Sequence, residues 1–258
     1  MISKISILGG GWLGSPLALS LVEIDHDIKV SVRSEESLTK LEALGLKAYL
    51  IDLDHNLEID QSFLDCETLI VSTPNKNIDG HERLIKVAEI LKIKKIIFTS
   101  STSVYENSDA IVTETSLLKE SKLKRIENLY INSTIPAVIL RLGGLVGENR
   151  HPGGFFKNKQ GISRPGAQIN LVHQLDIIAV ILKLIDSTIK SEIYNIVSSE
   201  HPDRFSFYQD AYFNLNGTER NFNSTFDQDS TAQKTVSGEK IEKIIGRKIK
   251  LSDHYKFL

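Results

Sequence analysis

Residues 9–14 read Gly9-Gly10-Gly11-Trp12-Leu13-Gly14, at the seam between an apolar β-like run, "KISILG" (4–9), and a helix-like run, "SPLALSLVEI" (15–24). A chain gives up side chains between two packed elements when something large must come close to its backbone. The pattern G-x-G-x-x-G is weak alone. Following a strand, opening a helix and lying in the first βαβ unit, it reads as a dinucleotide-binding turn. Gly9 permits the tight turn, Gly11 lets a pyrophosphate approach, and Gly14 lets the helix pack on the sheet. The N–H groups of the helix start, through Trp12 and Leu13, suit an anion.

Around that turn the first 145 residues alternate strand and helix patterns. Strands are expected at 4–9, 27–33, 47–53, 68–73, 94–100 and 136–142, as continuous Val/Ile/Leu runs covered on both faces. Helices are expected at 15–24, with Ser15 as cap and Pro16 just inside, near 35–45 ended by Gly45, over 79–92 and over about 116–132. The fold class that follows is α/β, a doubly wound parallel sheet of the Rossmann type with right-handed crossovers. After "GGLVG" (143–147) the chain turns Gly-, Pro- and base-rich. A helix at 173–187 and a strand at 192–197 follow and complete the sheet. A helix near 204–215, the polar stretch "NGTERNFNSTFDQDSTAQ" and a short helix at 238–246 form a small α-rich lobe. The organisation expected is a dinucleotide-binding domain over 1–147 and a substrate-side region over 148–258.

Composition excludes several classes. With 31 basic and 33 acidic residues among 258, the formal charge is −2 and the signs are mixed, so no basic stripe points to nucleic acid. No apolar run approaches the ~20 residues that cross a bilayer. The start "MISKISILGG" runs into a strand without a signal-peptide plan. Cys66 is the one cysteine, so no internal disulfide forms and a reducing, cytoplasmic location is expected. It reads as a small core residue, and no His/Cys/Asp/Glu spacing suggests a metal.

The end of the second strand bears on which dinucleotide binds. An NAD site usually has Asp or Glu about 20 residues beyond the glycines, on the ribose hydroxyls. Here that place holds Arg33 and Ser34. A guanidinium there favours a 2′-phosphate through a forked, charge-assisted contact, so NADP(H) is expected over NAD(H). Glu35 and Glu36 follow closely and could serve ribose instead, or flank a helix start.

"TSSTSVYENSDAIVTET" (99–115), "LRLGGLVGENRHPG", "INLVHQLDIIAVI" and "TVSGEKIEKIIGRKIKLSDH" together resemble the extended short-chain dehydrogenase/reductases, the NAD-dependent epimerase/dehydratase-like proteins, over nearly the whole chain. The resemblance implies that Asp52 and Leu53 are the acidic–apolar pair that contacts adenine. It implies that Ser72, Thr73 and Pro74 pass beneath the cofactor, with Ser100 on the same side. Ser101, four residues before Tyr105, matches the hydroxyl that bonds a substrate oxygen; a strand-end serine satisfying backbone groups is the alternative. His173 occupies a block that borders the substrate cleft. Arg150, His151 and Arg164 fall in the loop region that walls it and could meet an anionic substrate, or serve as ordinary loop charges. The last block implies a C-terminal helix and closing strand.

One departure stands out. The family's proton donor is a Tyr followed four residues later by a Lys on one helix face, the Lys lowering the phenol pKa. The best alignment puts Leu118 where Tyr belongs, with Lys122 at the correct spacing, and no Tyr-x-x-x-Lys occurs in the chain. Lys122 then either touches the cofactor ribose or belongs to a solvated charge run. Tyr105 and Tyr130 are expected to pack with satisfied hydroxyls. Ile169 stands where sugar-nucleotide enzymes of the family place an Arg four residues before His173. Two functions follow: an NADP-preferring oxidoreductase or epimerase-like enzyme on a small polar, sugar-like substrate, or a non-catalytic NADP(H)-binding sensor or scaffold.

Overall fold

The computed structural model describes residues 2–55, 59–158, 161–189, 191–220, 222 and 234–256. Among the described residues nine strands lie at Lys4–Leu8 (β1), Asp27–Val32 (β2), Lys47–Leu50 (β3), Thr68–Val71 (β4), Lys95–Ser101 (β5), Ala137–Leu142 (β6), Gly144–Val146 (β7), Leu171–His173 (β8) and Glu192–Ile196 (β9). Seven of them form one sheet in the order β3-β2-β1-β4-β5-β6-β9, with β1 parallel to both β2 and β4, and β2–β3 and β4–β5 parallel as well. The chain winds outward from β1 to β3, then restarts beside β1 with β4. The switch in direction therefore lies between β1 and β4, where Leu8 pairs with Val71. In a doubly wound sheet that junction opens the crevice where ligands bind.

Helices are Gly14–Val22 (α1), Glu35–Ala43 (α2), Ile78–Ile90 (α3), Lys122–Ile131 (α4), Gln174–Ile185 (α5), Arg204–Asn216 (α6) and Glu239–Ile245 (α7). The central strands are apolar because helices cover them: Ile5, Ile7, Leu69, Ile70, Val71, Ile96 and Ile97 are fully buried. Each such side chain removed from water is worth about 1.5–3 kcal/mol. Two lysines of the strands are buried and are satisfied internally. Lys29 Nζ donates to the carbonyls of Ser62 and Asp65, and Lys95 Nζ to those of Leu184 and Ser187.

Three expectations need correction. Ser15 does not cap α1: Leu13 is the residue before the helix, and the Ser15 hydroxyl donates back to the Gly10 carbonyl at 2.7 Å. The helix expected over 116–132 begins only at Lys122, because Ser121 caps it and Leu118 is drawn into an antiparallel bridge with Tyr105. The chain after α7 forms a 3₁₀ turn, Leu251–Asp253, rather than a closing strand. Beyond the main sheet, β7 and β8 pair in parallel as a separate two-stranded sheet. Most of the polar stretch in 216–233 lies outside the described residues.

The chain partitions into two compact units. One comprises Met1–Ser100, Lys119–Leu140 and Ile181–Ile193; the other comprises Ser101–Leu118, Arg141–Val180 and Tyr194–Leu258. The first has its core around Phe63, Leu69, Leu84, Phe98 and Tyr130, the second around Val146, Phe156, Phe207 and Leu251.

Candidate functional site

In the first unit the ends of four strands assemble one site. Gly9, just past β1, has φ +108, and a Cβ there would lie 2.3 Å from the Ser72 carbonyl oxygen. A Cβ on Gly14 would lie 2.0 Å from the Gly9 carbonyl oxygen, so the helix can meet the strand this closely only with glycine at 14. Gly10 is equally hemmed in, at 2.6 Å from the Val30 side chain, and its N–H donates to the Ser31 carbonyl. Gly11 differs: a Cβ there meets nothing within 4 Å. Packing explains three glycines of the turn, and the fourth is bare toward open space.

The helix behind Gly11 is open as well. No side chain among the described residues caps α1, whereas Ser34, Asn77, Ser121 and Asp203 cap α2, α3, α4 and α6. The first amides of any helix lack intrahelical acceptors and carry the positive end of its dipole. Trp12 is half-buried and Leu13 buried, so Leu13 anchors the turn.

Arg33 follows β2, is exposed, and makes no hydrogen bond among the described residues. Ser34 beside it accepts from the Ser37 N–H and caps α2. Past β3, Asp52 accepts from the Asp54 N–H at 2.9 Å and lies 3.1 Å from His55 Nδ1. Those bonds, with lesser help from the Arg33 charge, hold its carboxyl below the usual range. Leu53 belongs to the core, and its carbonyl accepts from Asn77 and Arg83. Past β4, the Ser72 N–H donates to the Leu8 carbonyl, Thr73 Oγ1 accepts from the Asn75 N–H, and Pro74 is exposed.

A buried pair fixes that last segment, and sequence reasoning missed half of it. His81 Nε2 lies 3.2 Å from the Asn75 carbonyl, and Nδ1 lies 2.6 Å from the Tyr130 hydroxyl. A carbonyl only accepts, so Nε2 carries the proton and the Tyr130 O–H donates to Nδ1. Burial lowers the His81 pKa and raises that of Tyr130. Tyr130 is thus a packed residue with a satisfied hydroxyl. Ser100 is buried and its hydroxyl donates to the buried Glu127 carboxylate. Lys122, the first residue of α4, is exposed and has no partner among the described residues. With Leu118 outside the helix, residues 118 and 122 do not share a helical face.

In the second unit Ser101 Oγ accepts from the Ser103 N–H at 3.1 Å, so it serves the backbone as a strand-end serine does. Its own O–H has no acceptor among the described residues. Tyr105 is committed: its hydroxyl donates to Asn195 Oδ1 at 2.6 Å and accepts from the buried Arg141 at 2.8 Å. Burial raises its pKa, which disqualifies it as a proton relay near neutrality. His173 is half-buried, its ring stacked on His254 at 3.8 Å between centroids. His254 Nε2 lies 2.8 Å from the buried Asp176, whose other oxygen accepts from Arg247 at 2.6 Å. Asp176 stands three residues beyond His173 in "VHQLD", and only the fold brings the distant His254 onto it. Arg150 is exposed beside a turn with Gly147, and Arg164 is exposed at φ +52. His151 caps the turn Pro152–Gly154 and lies edge-on to Tyr255 at 5.3 Å. Cys66 is half-buried, and burial raises its thiol pKa. No group of His, Cys, Asp and Glu among the described residues could hold a metal.

A glycine left bare at an uncapped helix start, at the switch point of a parallel sheet, fits a dinucleotide. Residues 9–188 match the family described as NAD(P)H-binding. The chain belongs to the NAD(P)H-binding family. Protein YeeZ of Escherichia coli K12 is 33% identical over 227 residues, covering 80% of this chain and 82% of that one. The fold is that of epimerase/dehydratase-like extended short-chain dehydrogenase/reductases. UDP-glucuronic acid 4-epimerase from Bacillus cereus, solved with UDP-glucuronic acid and NAD, superposes with a TM-score of 0.79 at 17% identity, over 97% of this chain and 96% of that one. The Bordetella bronchiseptica enzyme WbmG, solved with NAD, gives 0.76 at 17% identity over 97% and 90%. At such identities the likeness speaks for the fold alone.

Proposed function

We propose that this member of the NAD(P)H-binding family is an NADP-preferring oxidoreductase or epimerase-like enzyme acting on a small polar, sugar-like substrate. The observation that carries the cofactor assignment is Gly11, where the missing side chain leaves room that no atom of the described residues fills. The amides from Gly11 through Gly14 would hold the pyrophosphate at the α1 dipole. The Arg33 guanidinium, free of hydrogen bonds to the described residues, would grip a 2′-phosphate. Asp52 and Leu53 would lie along adenine, and Ser72, Thr73 and Pro74 beneath the cofactor, held there by His81 and Tyr130. The bound dinucleotide supplies hydride transfer at the nicotinamide C4.

The chain's own part is orientation and polarisation. The Ser101 O–H, with no acceptor among the described residues, would donate to the substrate oxygen. Lys122, unpartnered among the described residues and solvated, would lend positive charge toward the cofactor ribose. Leucine cannot carry a proton, so the proton released from a substrate hydroxyl passes to water. Arg150 and Arg164 would meet polar groups of the substrate. A cytoplasmic setting agrees with a half-buried, unpaired Cys66.

A second function is favoured by one observation. Leu118 is bridged to Tyr105 outside α4, so the acid–base helix face is missing, as expected of a dinucleotide sensor that turns nothing over. The test is direct. Pure protein is titrated with NADPH and NADH by nicotinamide fluorescence, then assayed with NADP⁺ and NADPH against alcohols and carbonyl compounds. Tighter NADPH binding with turnover lost in Ser101→Ala supports the enzyme. Binding without turnover leaves the sensor, and no binding of either dinucleotide overturns both.

A further inference from the structure

In the sheet order β3-β2-β1-β4, two strands separate β3 from β4, which sets these two about 14 Å apart at the usual strand spacing. The loops that leave their ends nevertheless meet. Asn75 Nδ2 donates to Asp54 Oδ2 at 2.9 Å, and Asn77 Nδ2 donates to the Leu53 carbonyl at 3.1 Å. The first turn of α3 presses on the same place, since a Cβ on Gly80 would lie 2.5 Å from the Leu53 carbonyl oxygen. Ser72, three residues before Asn75, is the residue against which Gly9 is packed. The loop after β3 is therefore tied to the segment that borders the glycine turn, within one unit of the chain.

Asn75 commits every polar group to this junction. Its N–H donates to Thr73 Oγ1, its carbonyl accepts from His81 Nε2, and its Oδ1 accepts from the Asn77 N–H at 2.7 Å. The last bond fixes the amide: only its oxygen can accept, so Nδ2 faces Asp54. The Asp54 N–H donates in turn to Asp52 Oδ1, and Asp52 Oδ2 lies 3.1 Å from His55 Nδ1. A continuous chain of bonds runs from the buried His81, through Asn75 and Asp54, to the Asp52 carboxylate, which also feels the Arg33 charge at the end of β2. Asp54 is exposed and Asn75 half-buried, so the bond between them adds little to stability. What it adds is direction, because it fixes the loop that carries Asp52.

We infer that Asn75 is a positioning residue: by holding Asp54 it aims the Asp52 carboxylate at the exocyclic amine of adenine, so that the protein discriminates the base of its dinucleotide. The inference rests on the function proposed above, which lays Asp52 along adenine. An ionised carboxylate accepts at about four positions and donates at none. It can take an amine N–H in addition to the bonds within its loop, and it repels the carbonyl oxygen that replaces this amine in hypoxanthine. Asn75→Asp keeps the acceptor for the Asn77 N–H but sets a second carboxylate oxygen against Asp54. Adding Asp54→Asn exchanges donor and acceptor and restores the bond.

The test titrates the full chain with NADPH and with its hypoxanthine analogue, deamino-NADPH, by nicotinamide fluorescence, and records Tm for each protein. Wild type should favour NADPH at least tenfold. Asn75→Asp should bring the two dinucleotides within about threefold of each other, chiefly by weakening NADPH. Asp54→Asn alone still offers the Asn75 amide an acceptor and should stay within about twofold of the wild-type preference. The double variant should recover a preference of at least fivefold. A merely structural role would shift Tm and weaken both dinucleotides in parallel, leaving their ratio unchanged. No preference in wild type, the wild-type ratio in Asn75→Asp, or no recovery in the double variant each overturns the inference. Should Asn75→Asp fail to fold, Asn75→Ala, which removes the amide without adding charge, must lose the preference in its place. Failure of the wild type to bind either dinucleotide instead removes the function on which the inference rests.

Discussion

The starts of α1 and α4 lie in the same unit and are built in opposite ways. At α1, side chains are withdrawn: Gly9, Gly10 and Gly14 are crushed against backbone or neighbouring side chains, Gly11 faces open space, and no described residue caps the helix. At α4, Ser121 satisfies the Lys124 N–H, Lys122 points into solvent, and Glu127 is buried on the Ser100 hydroxyl. An uncapped start leaves polar groups to a ligand, and a capped one has already satisfied them. The contrast teaches where this chain has kept binding capacity and where it has not. Its dinucleotide end is poised for an anion, while the helix face that carries Tyr and Lys in the resembled family holds neither as a pair.

The sharpest way to break that contrast is Gly11→Glu. The space around Gly11 accepts the side chain, so the fold should survive with an unchanged Tm. The added carboxylate at the helix mouth should weaken NADPH at least 100-fold by fluorescence titration, about 2.7 kcal/mol. Unaltered affinity would move the diphosphate elsewhere. By comparison, Gly9→Val should fail to fold, since φ +108 and the Ser72 carbonyl both reject a side chain.

Arg33→Ala sharpens the assignment of the dinucleotide. NADPH affinity should fall roughly tenfold while NADH affinity stays within about twofold, because one exposed charge-assisted contact is worth about 1.4 kcal/mol here. Parallel losses for both would strip Arg33 of its role.

A smaller effect is expected at α4. Ser121→Ala should cost about 1 kcal/mol in denaturant unfolding by losing the cap, with dinucleotide affinity unchanged. Lys122→Ala should leave stability within about 0.5 kcal/mol, being exposed and unpartnered among the described residues. Any change in nicotinamide affinity then reports the ribose contact alone.

Acid offers the mildest probe. His81, His151 and His173 all have pKa values lowered by burial, that of His173 from 6.5 to about 4. The unfolded chain therefore binds more protons than the folded one in that interval. Stability should be complete above pH 6.5 and decline as pH falls toward 4. His173→Phe should flatten part of that decline in a Tm-against-pH series, and an unchanged slope would mean that His173 titrates normally.

Much of the architecture was legible from local pattern. The strands β1, β2, β4, β5 and β6 fall within a residue or two of their apolar runs, because burial on both faces leaves little freedom in composition. The helix start at residue 122 was not legible. Charged and apolar residues in "SLLKESKLKR" support a helix from 116 onward as well as from 122, and the choice fell to Ser121 as cap and to the bridge between Leu118 and Tyr105. Ser15, a good capping type, was passed over because Gly14 begins the helix one residue earlier and its hydroxyl found the Gly10 carbonyl.

The candidate site divides in the same manner. Gly9, Gly11 and Gly14 announce themselves because glycine is the one residue whose absence of a side chain is itself a structural statement. His173 and Asp176 share a motif, yet nothing in the sequence couples them to His254 and Arg247, which lie more than 70 positions away. Tyr130 and His81, 49 positions apart, likewise meet only in the fold. Sequence alone determined the backbone events, where strands end, where the chain turns bare, and which charge follows β2, because those depend on neighbours a few residues away. Tertiary structure decided which imidazole carries its proton on which nitrogen and which hydroxyls remain free to act, because those depend on partners that packing brings together from distant parts of the chain.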